Sequence, residues 1–137
     1  MTKGDLSLDF VGLGALGLPM AIKLDKAGFP LRVHTRSRSA EADPGLAGSI
    51  GCVSPAEACQ GADVLLLCVS DDAAVDAVMF GPEGAVSALS PGAVVLDCST
   101  IAPSTAIAAA ERLAQQGVSY LDAPVTGGTE GARAGHL

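Results

Sequence analysis

The stretch Phe10-Val11-Gly12-Leu13-Gly14-Ala15-Leu16-Gly17 decides the fold of this chain. Its glycines follow the Gly-x-Gly-x-x-Gly pattern, directly after an apolar run and directly before a helical one. Gly12 permits a tight turn from strand to helix, Gly14 lets the backbone approach a pyrophosphate, and Gly17 lets the helix pack closely on the strand. The motif therefore predicts a dinucleotide site, in which backbone amides and the positive end of a helix dipole meet the phosphates.

The sequence on both sides of the motif supports this prediction. Residues 6–11 form a short apolar strand, and Leu16, Met20 and Leu24 recur at helical spacing until Gly28 offers a stop. The alternative is a glycine-rich turn that binds no ligand, or one that serves a different nucleotide.

The rest of the chain alternates short apolar runs with helical stretches. The runs predict strands at residues 6–11, 31–34, 50–53, 64–69, 94–97 and 118–122. Helices are predicted at 15–27, 55–59, 73–80 and 102–116, with a weaker turn at 41–47. This alternation predicts an α/β fold of Rossmann type, in which a doubly wound, mostly parallel sheet carries helices on both faces. Residues 1–137 are expected to form one dinucleotide-binding domain.

Candidate ligand contacts follow from this fold, because ligands of such sheets lie beyond the carboxyl ends of the strands. The predicted strand ends carry small, polar or charged residues after each apolar run. The candidate cofactor contacts are Gly12, Leu13, Gly14, Ala15, Leu16, Gly17, Thr35, Arg36, Ser37, Val69, Ser70 and Thr100.

The end of the second predicted strand bears on the choice of cofactor. NAD sites usually place an acid there for the ribose hydroxyls, but this chain reads His34-Thr35-Arg36-Ser37-Arg38. A guanidinium flanked by hydroxyls complements a 2′-phosphate, so NADP is the first choice and NAD the alternative. Arg36 as a solvated loop residue is the other interpretation. His34 is expected to pack in the strand rather than act as a base.

Three further predicted strand ends carry polar groups. Asp71 and Asp72 are expected to cap the helix that follows them. The hydroxyls of Ser99 and Thr100 could cap the next helix, approach a ligand, or do both. In the segment 122–128, the paired glycines that follow Thr126 expose backbone amides that could hold a carboxylate.

Composition excludes several classes of function. The 137 residues carry a formal net charge of −7, and no Lys or Arg lies between Arg38 and Arg112. A nucleic-acid partner is therefore not expected, since it needs a basic face. No run is long enough for a signal peptide or a membrane span. Cys52, Cys59, Cys68 and Cys98 lack Cys-x-x-Cys spacing, which favours buried free thiols, no metal site and a cytoplasmic protein.

Three segments together resemble the β-hydroxyacid dehydrogenase family, which includes 3-hydroxyisobutyrate dehydrogenases, tartronate semialdehyde reductases and related semialdehyde reductases. They are 10–21, Asp97-Cys98-Ser99-Thr100, and Asp122-Ala123-Pro124-Val125-Thr126-Gly127-Gly128. The likeness spans nearly the whole chain, and the third segment is its most specific part. Thr126 stands where the family usually has Ser, and Lys23 stands where it usually has Asn.

The resemblance implies a role for each segment. The first would hold the cofactor, Thr100 would approach its nicotinamide side, and Thr126, Gly127 and Gly128 would contact the carboxylate of a small hydroxy acid. The implied reaction moves a hydride between the nicotinamide and a β-hydroxy acid or its semialdehyde. Arg36 agrees with family members that prefer NADP.

The family places its catalytic Lys in an all-helical region that follows the dinucleotide domain. The resemblance therefore implies that this Lys lies beyond Leu137. Residues 1–137 are expected to contain no catalytic residue and to bind cofactor without completing the reaction. Apolar surface left uncovered would favour a homo-oligomer. A non-catalytic dinucleotide-binding or redox-sensing module is the alternative.

Overall fold

The computed structural model describes residues 5–137 and shows one six-stranded sheet in which every pairing is parallel. The order across the sheet is β3-β2-β1-β4-β5-β6. This arrangement confirms the predicted doubly wound Rossmann-type sheet. The strands are β1 (Leu8–Val11), β2 (Leu31–His34), β3 (Ile50–Gly51), β4 (Val64–Leu67), β5 (Val94–Asp97) and β6 (Ser119–Asp122).

The strand order reverses between β1 and β4, and this switch point locates the expected ligand site. The chain winds outward from β1 to β3, crosses back, and winds the other way from β4 to β6. Val11 of β1 lies in register with His34 of β2 on one side and with Leu67 of β4 on the other. The loops that leave these three strands therefore meet at one edge, where doubly wound sheets open a crevice.

Helices cover both faces of the sheet. They are α1 (Gly17–Lys26), α2 (Pro55–Ala58), α3 (Asp72–Phe80), α4 (Pro103–Ala114) and α5 (Gly128–Ala134). Short 3₁₀ turns occupy Ser39–Ala42, Pro44–Leu46 and Ala85–Ser87. In residues 5–137, no helix has the length and apolar character that crossing a membrane requires.

Two apolar cores hold the helices to the sheet. On the face that α1 covers, the core comprises Leu8, Phe10, Leu13, Ala21, Leu31, Val33 and Leu46. On the opposite face, residues of α2, α3 and α4 pack on the strands, and the largest buried members are Val11, Leu65, Leu67, Val75, Met79, Val95 and Leu113. Alternate strand residues thus feed opposite cores, as expected for a sheet buried on both sides.

The helix starts confirm one predicted cap and correct others. Asp71 accepts a 2.8 Å hydrogen bond from the amide of Ala74 and caps α3 as predicted. The expectation that Asp72 caps the same helix is wrong, because its carboxylate accepts instead from Ala102 N and Thr105 Oγ1 at the start of α4. The N-cap of α4 is Ala102, without a side-chain bond, so the hydroxyls of Ser99 and Thr100 do not cap that helix.

α5 is absent from the sequence prediction, which treated its start as a loop. Four of the nine residues from Gly127 to Gly135 are glycine, which gives the segment low helix propensity. Packing against α1 compensates, and Ala132 is buried in that contact. Gly127 and Gly128 both have positive φ, at 128° and 61°, which non-glycine residues rarely adopt.

A buried carboxyl group without a hydrogen-bond partner among residues 5–137 lies in the core on the α2 side. Asp9 of β1 is fully buried, and neither carboxyl oxygen has a hydrogen-bond partner in the part of the chain that the structure describes. Burial raises the pKa of Asp9 from 3.8 to about 7, although the Arg32 guanidinium on the neighbouring strand opposes the shift.

Candidate functional site

The glycine turn after β1 has the geometry that its sequence predicts. Gly12 has φ 103°, and a Cβ there would overlap the carbonyl oxygen of Cys68. A Cβ on Gly17 would overlap the carbonyl oxygen of Gly12, which shows how closely α1 starts beside the turn. Gly14 differs, because a Cβ there would meet no atom within 4 Å. Two glycines are thus required by the fold, whereas Gly14 faces open space.

Some backbone amides of the turn donate hydrogen bonds to protein atoms, and others do not. Gly12 N donates to His34 O at 2.9 Å, and Leu13 N donates to Thr35 Oγ1 at 3.4 Å. Within residues 5–137, the amides of residues 14–17 donate to no protein atom. They stand at the start of the ten-residue helix α1, where the positive end of the dipole lies. This cluster of free donors suits an anion.

A first cavity opens on the β2 side of the turn. This β1–β2 cavity has a volume of about 320 Å³. Its walls are the glycine turn, the end of β2 and one face of α3. The lining residues are Val11, Gly12, Leu13, Gly14, His34, Thr35, Arg36, Val69, Ser70, Ala74, Ala77 and Val78.

A second cavity lies on the β5 side of the turn. This β4–β5 cavity has a volume of about 260 Å³. It is lined by Gly14, Ala15, Leu16, Gly17, Cys68, Val69, Ser70, Cys98, Ser99 and Thr100. The two cavities share Gly14, Val69 and Ser70, so the free amides of the turn lie where they meet.

Hydrogen bonds fix the loops that end β4 and β5. Val69 N donates to Ser99 Oγ at 2.9 Å, and Ser99 N donates to Asp97 Oδ1 at 2.9 Å. The Tyr120 hydroxyl donates to Asp97 Oδ2 at 2.6 Å, and burial together with this bond raises the pKa of Tyr120. The buried Asp97 carboxylate therefore ties β6 to the wall of the β4–β5 cavity.

The end of β2 contains two arginines in different states. Arg38, which has a positive φ of 67°, donates from Nε to both carboxylate oxygens of Glu41 at 2.9 Å. Glu41 also accepts from Thr35 N at 2.9 Å and lies 3.8 Å from His34 Nδ1. Arg36 is exposed at the rim of the β1–β2 cavity, and in the described residues it forms no ion pair. The Glu41 carboxylate is thus neutralised by Arg38, which leaves the Arg36 guanidinium free to bind an anion.

His34 packs as the sequence analysis expected. It is buried at the end of β2, and its Nδ1 lies 2.9 Å from the carbonyl oxygen of Cys52. This contact holds the ring against the segment after β3.

The structure brings together all but one of the candidate cofactor residues. Ser37 lines neither cavity; its Oγ lies 3.3 Å from Ser39 Oγ on the surface. Thr126, Gly127 and Gly128 are exposed at the start of α5 and line neither cavity. No group of three or more potential metal-ligating side chains occurs in residues 5–137.

Lys23 lines a third cavity, which also reaches Gly14 and Ala15 of the glycine turn. That cavity has a volume of about 420 Å³, and Lys26 of α1 and Arg133 of α5 also line it. The Lys23 side chain runs beside Gly135, at the C-terminal end of α5.

Leu137 lies beside α5 and lines neither the β1–β2 nor the β4–β5 cavity. Its Cδ2 is 3.2 Å from the position that a Cβ on Gly127 or on Gly131 would occupy. With Met20 and Leu24 of α1, it lines another cavity of about 210 Å³. Among residues 5–137, no Lys lines the β1–β2 or the β4–β5 cavity. The location of the catalytic Lys beyond Leu137, and with it the inactivity of residues 1–137, stays a prediction.

Several cavity residues were missed by the sequence analysis. Ala74, Ala77 and Val78 form the α3 wall of the β1–β2 cavity. Their spacing of three and four residues marks one face of a helix, and that pattern could have identified them. Cys68 and Cys98, neither of which was among the candidate cofactor contacts, also line the β4–β5 cavity.

Comparison with known proteins identifies the family. The family described as the NAD binding domain of 6-phosphogluconate dehydrogenase matches residues 7–137. The chain belongs to this NAD-binding domain family. Two curated relatives are both from Pseudomonas aeruginosa. The NAD-dependent L-serine dehydrogenase is 43% identical over 130 residues, and the 3-hydroxyisobutyrate dehydrogenase is 41% identical over 130 residues.

These relatives confirm the resemblance to the β-hydroxyacid dehydrogenases. In each case the NAD-binding domain aligns over 93% of its own length and 43% of the relative's length, so the chain spans less than half of either relative. A solved structure described as Psf3 in complex with NADP+ and 2-OPP superposes with a TM-score of 0.87 at 36% identity. That match covers 93% of this chain and 45% of the other.

Proposed function

We propose that this domain binds NADP in preference to NAD, and that the protein containing it transfers a hydride between the nicotinamide and a small β-hydroxy acid or its semialdehyde. The main support for this proposal is the run of unpaired backbone amides at residues 14–17, where the two cavities meet. A dinucleotide has two nucleoside halves joined by a pyrophosphate, and this arrangement offers one cavity on each side of an anion site.

The amides of Gly14, Ala15, Leu16 and Gly17 would hold the pyrophosphate, and Gly12 and Leu13 would shape the turn beneath it. The adenosine half would occupy the β1–β2 cavity, with Thr35, Arg36 and Ser37 at the 2′-phosphate. Ser37 reaches that group only if its side chain turns from Ser39. Val69, Ser70 and Thr100 would line the nicotinamide half. The cofactor, when bound, supplies the hydride chemistry.

The preference for NADP rests on the difference between the two arginines. The Glu41 carboxylate, which could otherwise accept bonds from a ribose, is already engaged by Arg38 and by Thr35 N. Arg36 keeps an unpaired guanidinium at the cavity rim, and a guanidinium binds phosphate oxygens through paired hydrogen bonds. The solved relative named with NADP+ is consistent with this preference.

The substrate class follows from the family and from the third sequence segment. Thr126, Gly127 and Gly128 would bind the substrate carboxylate, as in the resemblance stated above. The names of the two curated relatives both describe dehydrogenases of small hydroxy acids. By the same resemblance, the proton of the substrate hydroxyl is assigned to a Lys outside this domain, which covers 43% of the length of each relative.

Thermal unfolding with NADP, with NAD and without ligand tests the cofactor proposal. A ligand at a hundred times its dissociation constant stabilises the native state by about 2.7 kcal/mol. We expect a shift with both dinucleotides and a larger one with NADP at equal concentration. No shift with either would contradict the site, and a larger shift with NAD would reverse the interpretation of Arg36.

A turnover assay of the protein that contains the domain separates an enzyme from a binding module. NADP reduction with 3-hydroxyisobutyrate or L-serine, followed at the nicotinamide absorbance, is the expected result. Cofactor binding without reduction of NADP by any small β-hydroxy acid would favour the non-catalytic module.

A further inference from the structure

Two cysteines that follow neighbouring strands line the β4–β5 cavity. Cys68 follows β4 and Cys98 follows β5, and the amide of Cys98 donates a 2.7 Å bond to Leu67 O. This bond continues the parallel ladder of β4 and β5 to its last residues. Adjacent strands lie about 4.8 Å apart, and a disulfide joins Cα atoms that are about 4.4–6.8 Å apart.

The side chains of this pair point toward the same face of the sheet. Leu66 and Cys68 pack against the core that α1 covers, whereas Leu65 and Leu67 belong to the opposite core. Side chains alternate along each strand, so the in-register neighbours Cys68 and Cys98 share the α1 face. Their common presence in the cavity wall agrees with this orientation.

The other two cysteines are differently placed. Cys52 and Cys59 are 1% and 0% exposed in the core on the α2 side, and neither lines the β4–β5 cavity. Among residues 5–137, Cys68 is the one cysteine that is only partly buried, whereas the other three are buried. A soluble oxidant that enters the cavity therefore meets Cys68 first.

We propose that Cys68 and Cys98 are a reversible redox pair, and that their disulfide impairs the nicotinamide side of the cofactor site. The oxidant is a low-molecular-weight disulfide. The Cys68 thiolate attacks one of its sulfurs, which forms a mixed disulfide and releases one thiol. Cys98 then loses its proton and attacks the Cys68 sulfur, which forms the Cys68–Cys98 bond and releases the second thiol. The protein loses two hydrogens, and the oxidant leaves as two thiols.

The coupling to the cofactor site passes through a backbone contact. The carbonyl oxygen of Cys68 is packed so tightly on Gly12 that no Cβ fits between them. A shift of Cys68 toward Cys98 therefore acts on the turn that presents the amides of residues 14–17. This effect rests on the proposed cofactor function, whereas disulfide formation does not. By reciprocity, a bound dinucleotide should shift the thiol–disulfide equilibrium of the pair toward the two thiols.

The protonation state of the Cys68 thiol sets the rate at which it attacks the oxidant. Burial, with a smaller contribution from the neighbouring Cys98, raises the pKa of Cys68 to about 11. Since the thiolate is the nucleophile, oxidation should be slow near neutral pH and faster in alkaline buffer.

Oxidation of the protein with excess glutathione disulfide tests the pair. After the remaining thiols are alkylated, mass mapping under non-reducing conditions should show a peptide cross-linked through Cys68 and Cys98. The Cys52→Ala/Cys59→Ala variant is the matched control and should give the same cross-link. Cys98→Ser should stop at a glutathione adduct on Cys68.

Titration of reduced and oxidised protein with NADPH, read by fluorescence, tests the coupling. We expect the oxidised form to bind about tenfold more weakly (about 1.4 kcal/mol) and dithiothreitol to restore affinity. A cross-link at Cys52–Cys59, or none, overturns the pair. A Cys68–Cys98 cross-link with unchanged NADPH affinity overturns the coupling. If the reduced protein binds neither NADPH nor NADH but still forms the cross-link, the proposed cofactor function fails and the redox pair stands.

Discussion

The hydroxyl of Ser99 accepts a 2.9 Å hydrogen bond from the amide of Val69 and so joins the loops that leave β5 and β4. Val69 lines both cavities, and Ser99 lines the β4–β5 cavity. One short side chain therefore fixes the boundary between the two halves of the proposed cofactor site. The Asp97 carboxylate orients Ser99 in turn, through a 2.9 Å bond from the Ser99 amide.

Ser99→Ala should destabilise the protein because it leaves the partly buried Val69 amide without an acceptor. The expected loss in the free energy of unfolding is about 1–3 kcal/mol, measured by urea denaturation. Ser37→Ala is the matched control, since Ser37 Oγ contacts only Ser39 Oγ at the surface. Equal stabilities of the two variants would show that the bond contributes nothing.

Alanine substitutions in the glycine motif should separate folding from binding. Gly14→Ala should unfold at the wild-type temperature without ligand, because its Cβ meets no atom within 4 Å, yet bind NADPH at least about tenfold more weakly. Gly12→Ala should lose about 3 kcal/mol of stability or more, since its φ is 103° and its Cβ overlaps Cys68 O. Wild-type affinity in Gly14→Ala would argue against a pyrophosphate at the turn.

Arg36→Gln should weaken NADP binding by about ten- to a hundredfold and change NAD binding little, because a charge-assisted hydrogen bond to phosphate contributes about 1.5–3 kcal/mol. Isothermal titration with each dinucleotide measures the ratio. Arg112→Gln removes the same charge at a site where the guanidinium stacks 3.7 Å over the Phe80 ring, and it should leave the ratio unchanged. A parallel loss for NAD and NADP in Arg36→Gln would assign Arg36 a general electrostatic role.

Asp9 should make the protein less stable as pH rises, which is the opposite of the usual effect of a carboxyl group. Its pKa is about 7 in the folded protein against 3.8 for the unfolded reference, so the folded state holds its proton more tightly. The resulting stabilisation is complete below pH 3.8 and is lost as pH rises to about 7. We expect the free energy of unfolding to fall by about 2–3 kcal/mol between about pH 5 and about pH 8.

The Asp9→Asn variant should lack this decline, since it has no carboxyl group to ionise. Urea denaturation at the two pH values provides the comparison, and Asp76→Asn, at an exposed position of α3, is the control that keeps the wild-type decline. A decline of equal size in Asp9→Asn would place its origin elsewhere.

Much of the fold could be predicted because local patterns and tertiary structure agree in this chain. The predicted strands at 31–34 and 94–97 match β2 and β5, and the other four differ from observation at their ends by at most two residues. α5 could not be predicted, because the contact of Ala132 with α1 outweighs a glycine-rich composition only after both helices have formed. Asp9 was missed for a related reason, since a single acid in an apolar strand has no periodic signature.

The grouping of the candidate site residues was predictable in part. The rule that ligands lie beyond parallel strand ends selected Thr35, Arg36, Val69 and Thr100, and the structure places all four around adjoining cavities. It also selected Ser37, whose side chain faces Ser39 instead. The rule does not select cavity residues that lie on a helix, such as Ala74 of α3. Whether a helix forms part of a cavity wall depends on how that helix packs on the sheet.

The sequence by itself determined the strand–turn–helix around Gly12, because hydrophobic periodicity and the steric freedom of glycine act between near neighbours in the chain. Only the tertiary structure decided which polar groups remain free. Glu41 engages Arg38 and leaves Arg36 unpaired, and Asp72 reaches across to α4 instead of capping α3. Hydrogen bonds and charge pairs require contact within a few ångströms, and the separation of residues along a chain does not specify that distance until the elements have packed.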